Sequence, residues 1–570
     1  MFSRRGREYD LRWGALSFPQ HAYLLVAAIV IGVGGGIGAV LFRALTGYAG
    51  GLAGAITALL AHVLGPYALV GSVGIGGALA VWIAVTFAPE ARGHGVPEVM
   101  AAVALRGGVM RPRIILVKAL ASATTLGFGG AAGREGPIVQ IGAAIGSVFG
   151  QIVHAPVPIV RTLLACGAAA GVSATFNAPL GGAFFASEVI VGDFAPRTFV
   201  AIVVSSVVGA VVGRTALGDR PSFHVVGFAL VSPRELALYA LLGVVCAFWA
   251  AGFVKLLYGC EDLAARIKLH PLLKGFGGFA LVGLIGVGVP EILGVGYTVV
   301  QHVFDRHVPF DRAFGLAVLE PVATSITLGA GGSGGVFGPS LYTGAMLGDA
   351  FGRVVHGLFP LWTAAPAAYA VVAMAALFAA AAEAPITAIA IVFEMSNDYA
   401  IVLPLMIATA VAAAFGRRLI GGTIDDLTLY RRGIDWKRVR TPHALADLPA
   451  ASGIDPRPFT ARGGETVESV AARLPADADG VAVVNARHLV GVVTAAALAE
   501  WLAHEPRAPV WRAARRVAAT LRCDDSMERA AELLADSAVA FVPVLDDGGA
   551  FVGLVNRRQV LEAFRAARSA

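Results

Sequence analysis

The chain has 570 residues, 57% apolar and only 14% charged, with a formal net charge of +6 and a mean hydropathy of +0.74. Soluble domains carry roughly 25% charged residues, so the composition excludes a soluble globular protein and places most of the chain in a lipid bilayer. No basic stripe is interleaved with aromatics, which excludes a nucleic-acid partner, and Cys166, Cys246, Cys260 and Cys523 form no C-x-x-C, so neither a disulfide framework nor a metal site is indicated.

Residues 1–18, with MFSRRGREYDLRWG, read as a cytoplasmic leader of the mature protein, because the apolar run that follows is longer than a signal-peptide core and lacks a small-residue cleavage site. Apolar runs near 20–62, 67–88, 138–153, 157–190, 197–213, 234–257, 274–289, 361–382 and 386–420 are each long enough for one or more spans, since a span needs roughly 20 apolar residues. Several are broken by Gly and Pro, which predicts interrupted helices. Basic residues in the leader, in GRRLIGG and in YRRGIDWKRVR put both termini on the cytoplasmic side of a plasma (inner) membrane.

An internal repeat emerges when KALASATTLGFGGAAGREGPIVQIGAAIG (118–146) is laid over EPVATSITLGAGGSGGVFGPSLYTGAMLG (320–348), which align without a gap at an offset of 202. Gly133, Gly136, Pro137 and Gly142 fall on Gly335, Gly338, Pro339 and Gly344. NAPLGGAFFASE, with Pro179 and Glu188, lies over EAPITAIAIVFE, with Pro385 and Glu394, at an offset of 206. Two interrupted repeats in one membrane chain are the pattern of a transport protein whose site lies between its halves. Where a Gly-rich turn runs into Pro at a first helical turn, the free amides and the positive dipole end attract anions. Two such tips, from GREGP and GVFGP, would hold a bare anion without a lysine. Glu135, at the first of them, supplies a carboxylate where the anion would sit. It reads as a gate that leaves when protonated, because an intramembrane ionisable residue is a functional candidate, and Arg134 beside it reads as an offset for that charge.

At these residues the sequence resembles the CLC chloride channel and transporter family, through GHGVPEV (93–99), GREGP (133–137) and GGVFGP (334–339) in the family's order. The resemblance implies an all-α polytopic membrane protein of two inverted repeats with broken helices, about eighteen in all. It also implies a homodimer with one pore per subunit and permeation of chloride or similar monovalent anions, with chloride as the bound ion. Glu135 is then the gating residue, and His94, Gly95, Gly133, Arg134, Gly136, Val336, Phe337 and Gly338 surround the anion. The transmembrane domain covers 19–435, with repeats at roughly 19–262 and 263–435.

Departures from the family's pattern bear on mechanism. His94 stands where many members have a serine, and Asp425 in TIDDLTLYRRG where they have a tyrosine, with Tyr430 nearby. An ionised carboxylate about 4 Å from chloride repels it by about 4 kcal/mol at an effective dielectric of 20. Asp425 is therefore expected to point away, to be compensated by Tyr430, or to be held by a cation such as His94 at the inner mouth. Val189 replaces the second glutamate of proton-exchanging members, which favours a passive channel, with a proton-coupled antiporter as the alternative. Glu188 remains a proton-pathway candidate beside Glu135, although Glu188 and Glu394 read first as structural carboxylates at helix ends. Glu320 replaces Lys118 in the second copy, and nothing in the sequence explains it.

After about residue 436 the composition becomes that of a soluble α/β domain. Residues 467–502 and 527–564 share a helix, strand, turn, strand, helix pattern and look like CBS domains, at 436–505 (with a linker) and 506–570, forming a cytoplasmic pair. Such pairs often hold an adenine nucleotide through an aspartate; Ala497 and Gln559 stand there instead, so a structural tail is favoured and no cofactor is indicated. An enzyme is disfavoured. GGSG at 331–334 fits a serine-protease motif, but Ser333 has no histidine placed to activate it, and H-E-x-x-H is absent.

Overall fold

The structure, a computed structural model, describes residues 2–5, 8–13, 16–18, 20–218, 223, 230–305, 308–434, 445, 448–454, 458–475, 478–486, 488–515, 519–535, 541–546 and 548–569. Two compact units divide it, Met1–Arg440 and Thr441–Ala570. The expected start of the tail at 436 lies outside the described residues.

In the first unit, residues of the leader form three antiparallel strands, β1 (Phe2–Arg5), β2 (Glu8–Trp13) and β3 (Leu16–Phe18). No strand is expected there from a reading for basic charge alone, yet Tyr9, Leu11 and Trp13 alternate with Asp10 and Arg12, the period of a strand. Seventeen α-helices follow among the described residues. In chain order they are α1 (Gln20–Leu64), α2 (Ala68–Phe87), α3 (Val96–Leu105), α4 (Ile114–Gly127), α5 (Glu135–Ile152), α6 (Val157–Phe176), α7 (Pro179–Phe185), α8 (Pro196–Leu217) and α9 (Glu235–Arg266), then α10 (Pro271–Gly288), α11 (Tyr297–Phe304), α12 (Phe310–Gly329), α13 (Phe337–Leu358), α14 (Pro366–Ala382), α15 (Pro385–Ser396), α16 (Val402–Ile420) and α17 (Asp426–Arg431). Six helical stretches, from Ala22–Phe87 to Tyr399–Ile420, are long and apolar enough to cross a membrane. Leu41, Leu59 and Leu403 on their outer faces are exposed, as lipid allows and water does not. α14, apolar on every side, is buried along nearly its whole length and forms the centre of the core.

The repeat is visible in the packing. A Cβ at Gly142 would lie 2.2 Å from the Gly167 carbonyl oxygen, and one at Gly344 would lie 2.5 Å from that of Ala373. Glycine thus brings α5 onto α6 and α13 onto α14 at backbone distance, the small-residue packing of membrane helices. Each half also finishes the other. Glu188 accepts hydrogen bonds from the Ile386 and Thr387 amides (3.3 and 2.8 Å) and from Thr387 Oγ1 (2.6 Å), capping α15. Glu394 accepts from the Leu180 and Gly181 amides (2.9 and 2.7 Å), capping α7. The orphan donors of each short helix are met by a carboxylate from the matching segment of the other half.

The second unit holds two three-stranded sheets of identical topology. β4 (Thr460–Arg462) pairs parallel with β5 (Gly480–Asn485), which pairs antiparallel with β6 (His488–Thr494); β7 (Leu521–Arg522), β8 (Phe541–Leu545) and β9 (Phe551–Asn556) repeat the order. The helices are α18 (Val467–Ala471), α19 (Ala495–His504), α20 (Met527–Ala535) and α21 (Arg557–Ser569). Ala497 and Gln559 sit in local caps: Thr494 Oγ1 accepts from the Ala497 amide (3.2 Å), and Gln559 Oε1 from that of Asn556 (2.6 Å).

Candidate functional site

The tips of α5 and α13 meet. Gly133 and Gly335, equivalent in the repeat, donate to one another's carbonyls at 2.7 and 2.6 Å, so the two Gly-rich turns are joined by a reciprocal pair of bonds. The same contact corrects the place of Gly133 among the anion-binding residues, because its N–H is spent on Gly335. Its role is steric: a Cβ there would lie 2.2 Å from Glu135 Oε2. Gly136 is equally constrained, since a Cβ would fall 2.0 Å from the His94 carbonyl oxygen.

Glu135 is buried, and its carboxylate lies between the tips, accepting from the Gly338 amide at 3.1 Å and from the hydroxyl of Tyr297. Arg134 does not ligate it. Its Nε stays 4.0 Å away while the guanidinium stacks 4.6 Å over the Tyr297 ring, offsetting charge and orienting that ring. Tyr297 was not among the residues expected here. The signal for it is a third repeat pair: Gly93-His-Gly95 and Gly294-Val-Gly296 each place two glycines at positive φ ahead of a short helix, and Tyr297 opens the second of these, α11.

Below Glu135 lies an enclosed cavity of ≈ 20 Å³, with Gly136, Val336, Phe337, Phe378, Ile424, His94 and Asp425 in its walls. That is room for about one water-sized particle. Val336 and Phe337 present first-turn amides, which have no intrahelical acceptor, and the Phe337 ring packs 4.1 Å from Phe378 and 5.2 Å from Phe176. Beyond the cavity an open vestibule of ≈ 390 Å³ is lined by Arg92, Gly95, Glu98, Glu261, Arg431 and again His94. His94 is thus the partition between the two.

The expected approach of His94 and Asp425 is present, with Nδ1 and Oδ1 3.7 Å apart. Glu261, from α9, flanks the other ring nitrogen, with Oε1 3.7 Å from Nε2, and was not foreseen. Its signal is an acidic pair, Glu261-Asp262, in the last two turns of an apolar helix, where the dipole favours cations. Neither Tyr430 nor Tyr258 lines the cavity; Tyr258 lines the vestibule and bonds the Ile424 carbonyl and Thr428 Oγ1. Lys118 is buried and donates to the carbonyls of Ala91 and Gly93 at 3.0 and 2.9 Å, holding the turn that carries His94. Ser333 Oγ bonds the Ala91 carbonyl (2.6 Å) and Ser122 Oγ (2.8 Å), a structural tie in place of a nucleophile. Among the described residues no cluster of His, Cys, Asp and Glu could hold a metal ion, and all four cysteines are free thiols.

A family model described as voltage gated chloride channel matches residues 76–417, and a CBS domain model matches residues 512–566. A protein of Ralstonia nicotianae, described as a candidate ClcB-like chloride channel, is 35% identical over 59% of this chain and 81% of its own length. The H(+)/Cl(-) exchange transporter ClcA of Cronobacter sakazakii is 35% identical over 61% of this chain and 76% of its own. Among solved structures, a slow cyanobacterial Cl-/H+ antiporter is 27% identical with a TM-score of 0.66, over 72% of this chain and 97% of that one.

Proposed function

Because the chain belongs to the voltage-gated chloride channel family, we propose that it exchanges chloride for protons across the membrane, with Glu135 as both the gate and the proton carrier. The observation that carries this is the Glu135 carboxylate lying between the tips of α5 and α13 and accepting from the Gly338 amide, where an anion would otherwise sit. A carboxylate is the one ligand for such a site that loses its charge by taking a proton, so its departure couples anion arrival to protonation. Val189 points to a passive channel, as does the name of the Ralstonia relative. The exchange activities named for ClcA and for the cyanobacterial antiporter weigh more than one missing carboxylate and favour exchange over the channel reading. The protein is read as a homodimer in the plasma (inner) membrane, with both termini cytoplasmic.

Purified protein in liposomes, with chloride efflux and proton movement recorded together, tests the proposal. An outward chloride gradient is expected to drive protons inward against their own gradient. Chloride flux without proton movement would return the passive channel. Glu135→Gln, which keeps the shape and loses the titration, is expected to uncouple the two fluxes.

A further inference from the structure

We propose that Glu261 and His94 form the proton-transfer step between the cytoplasmic vestibule and the enclosed cavity beneath Glu135, with Asp425 as the receiving group. The inference rests on the exchange reading. The geometry supplies a donor side, a carrier and an acceptor side in one line. Glu261 faces the open vestibule with a third of its side chain exposed (33%), while the His94 side chain is only 3% exposed. Asp425 is buried and lines the cavity. Two buried polar atoms, His94 Nδ1 and Asp425 Oδ1, face each other with no hydrogen-bond partner. At 3.7 Å neither link is a formed hydrogen bond. Buried polar atoms left unpaired in a native fold call for a role or a bound water.

The step balances within the chain. Glu261, once protonated from the vestibule, breaks its Oε1–H bond as His94 Nε2 gains a proton; His94 Nδ1–H then breaks as the Asp425 carboxylate, or a water in the cavity, takes that proton. The ring ends neutral, and a turn about its Cβ–Cγ bond returns an N–H to the cavity side. The surroundings favour this direction of supply. From α17, Arg431 lies 3.8 Å from Glu261 Oε2 and also pairs with Asp262. From α3, Glu98 is taken up by Arg432. On the turn itself, Arg92 lines the vestibule and Lys118, from α4, reaches only backbone carbonyls. None of these charges stands between His94 and the cavity.

The readout is the number of protons moved per chloride by reconstituted full-length protein. Wild type gives the reference, and Glu261→Gln is expected to lower the ratio by about a hundredfold, the lower end of the range for losing a positioned proton-transfer group. Glu261→Asp is expected to restore at least part of it, and His94→Gln, which keeps a donor but cannot carry a proton, to lower it as Glu261→Gln does. A merely structural role for Glu261 would change both fluxes together and leave their ratio intact. If wild type exchanges and Glu261→Gln keeps the wild-type ratio, this inference is overturned and the exchange reading stands. A wild type that moves chloride alone overturns both. Should Glu261→Gln carry no chloride, a ratio restored equally by Glu261→Asp and Glu261→Ala also overturns it.

Discussion

At the scale of single residues, Glu135 is legible from sequence because a charge amid glycine and apolar neighbours has helix capping as its one bland explanation, and the repeat outweighs that. Of its partners, Gly338 is marked by the motif, while Tyr297 reaches it across 162 positions and is marked only by the repeat of Gly93-His-Gly95 in Gly294-Val-Gly296. Tyr297→Phe removes a hydrogen bond to a charged group, worth about 1.5–3 kcal/mol. The gate is then held less firmly, and faster chloride efflux from liposomes is expected; an unchanged rate would show that this hydroxyl does not hold it. Gly136→Ala drives a Cβ into the His94 carbonyl oxygen, so loss of folded protein in detergent is expected. Gly133 shows the limit of motif reading, because the motif marks a residue near the anion but cannot say whether its amide is free. The approach of His94 and Asp425 is legible as two departures from one pattern that compensate each other.

At the scale of elements, the pair formed by α7 and α15 carries a prediction that the repeat alone does not contain. Glu188→Ala and Glu394→Ala each strip a short helix of the acceptor for two backbone amides, and each is expected to destabilise the protein by about 1–3 kcal/mol. Thermal unfolding in detergent should show comparable losses for the two, with glutamine in either place losing less. A Glu188→Ala variant of unchanged stability but lost proton flux would instead return Glu188 to the proton pathway. Pro179, Pro385 and the carboxylates ending the two matching stretches make the helices and their structural acids readable in the sequence. That each acid serves the opposite half is a tertiary fact, invisible to any pattern confined to one repeat. The strands β1–β3 were hidden for another reason, as the arginines there read first as topology signals.

At the scale of the molecule, the composition shift near residue 436 is readable because lipid and water select different residues, and the structure separates units at Arg440 and Thr441. In the first unit the main apolar cluster contains α14, with smaller ones around α1; in the second unit the clusters form on the two small sheets. A chain ending at Arg440 is therefore expected to insert and carry chloride, measured by the same efflux assay; complete loss of flux would make the tail a requirement of the pore. Light scattering of the detergent-solubilised full chain is expected to give the mass of two copies.

The paired bonds between Gly133 and Gly335, with the crossed caps of Glu188 and Glu394, have a consequence for assembly. Half of this polypeptide, made alone, would end in a dangling turn, an idle carboxylate and an uncapped helix. Such a half becomes complete only against another like it turned upside down in the membrane. A half-length chain of this kind would have to insert in both orientations to complete itself, whereas one polypeptide carrying both halves makes the partnership certain.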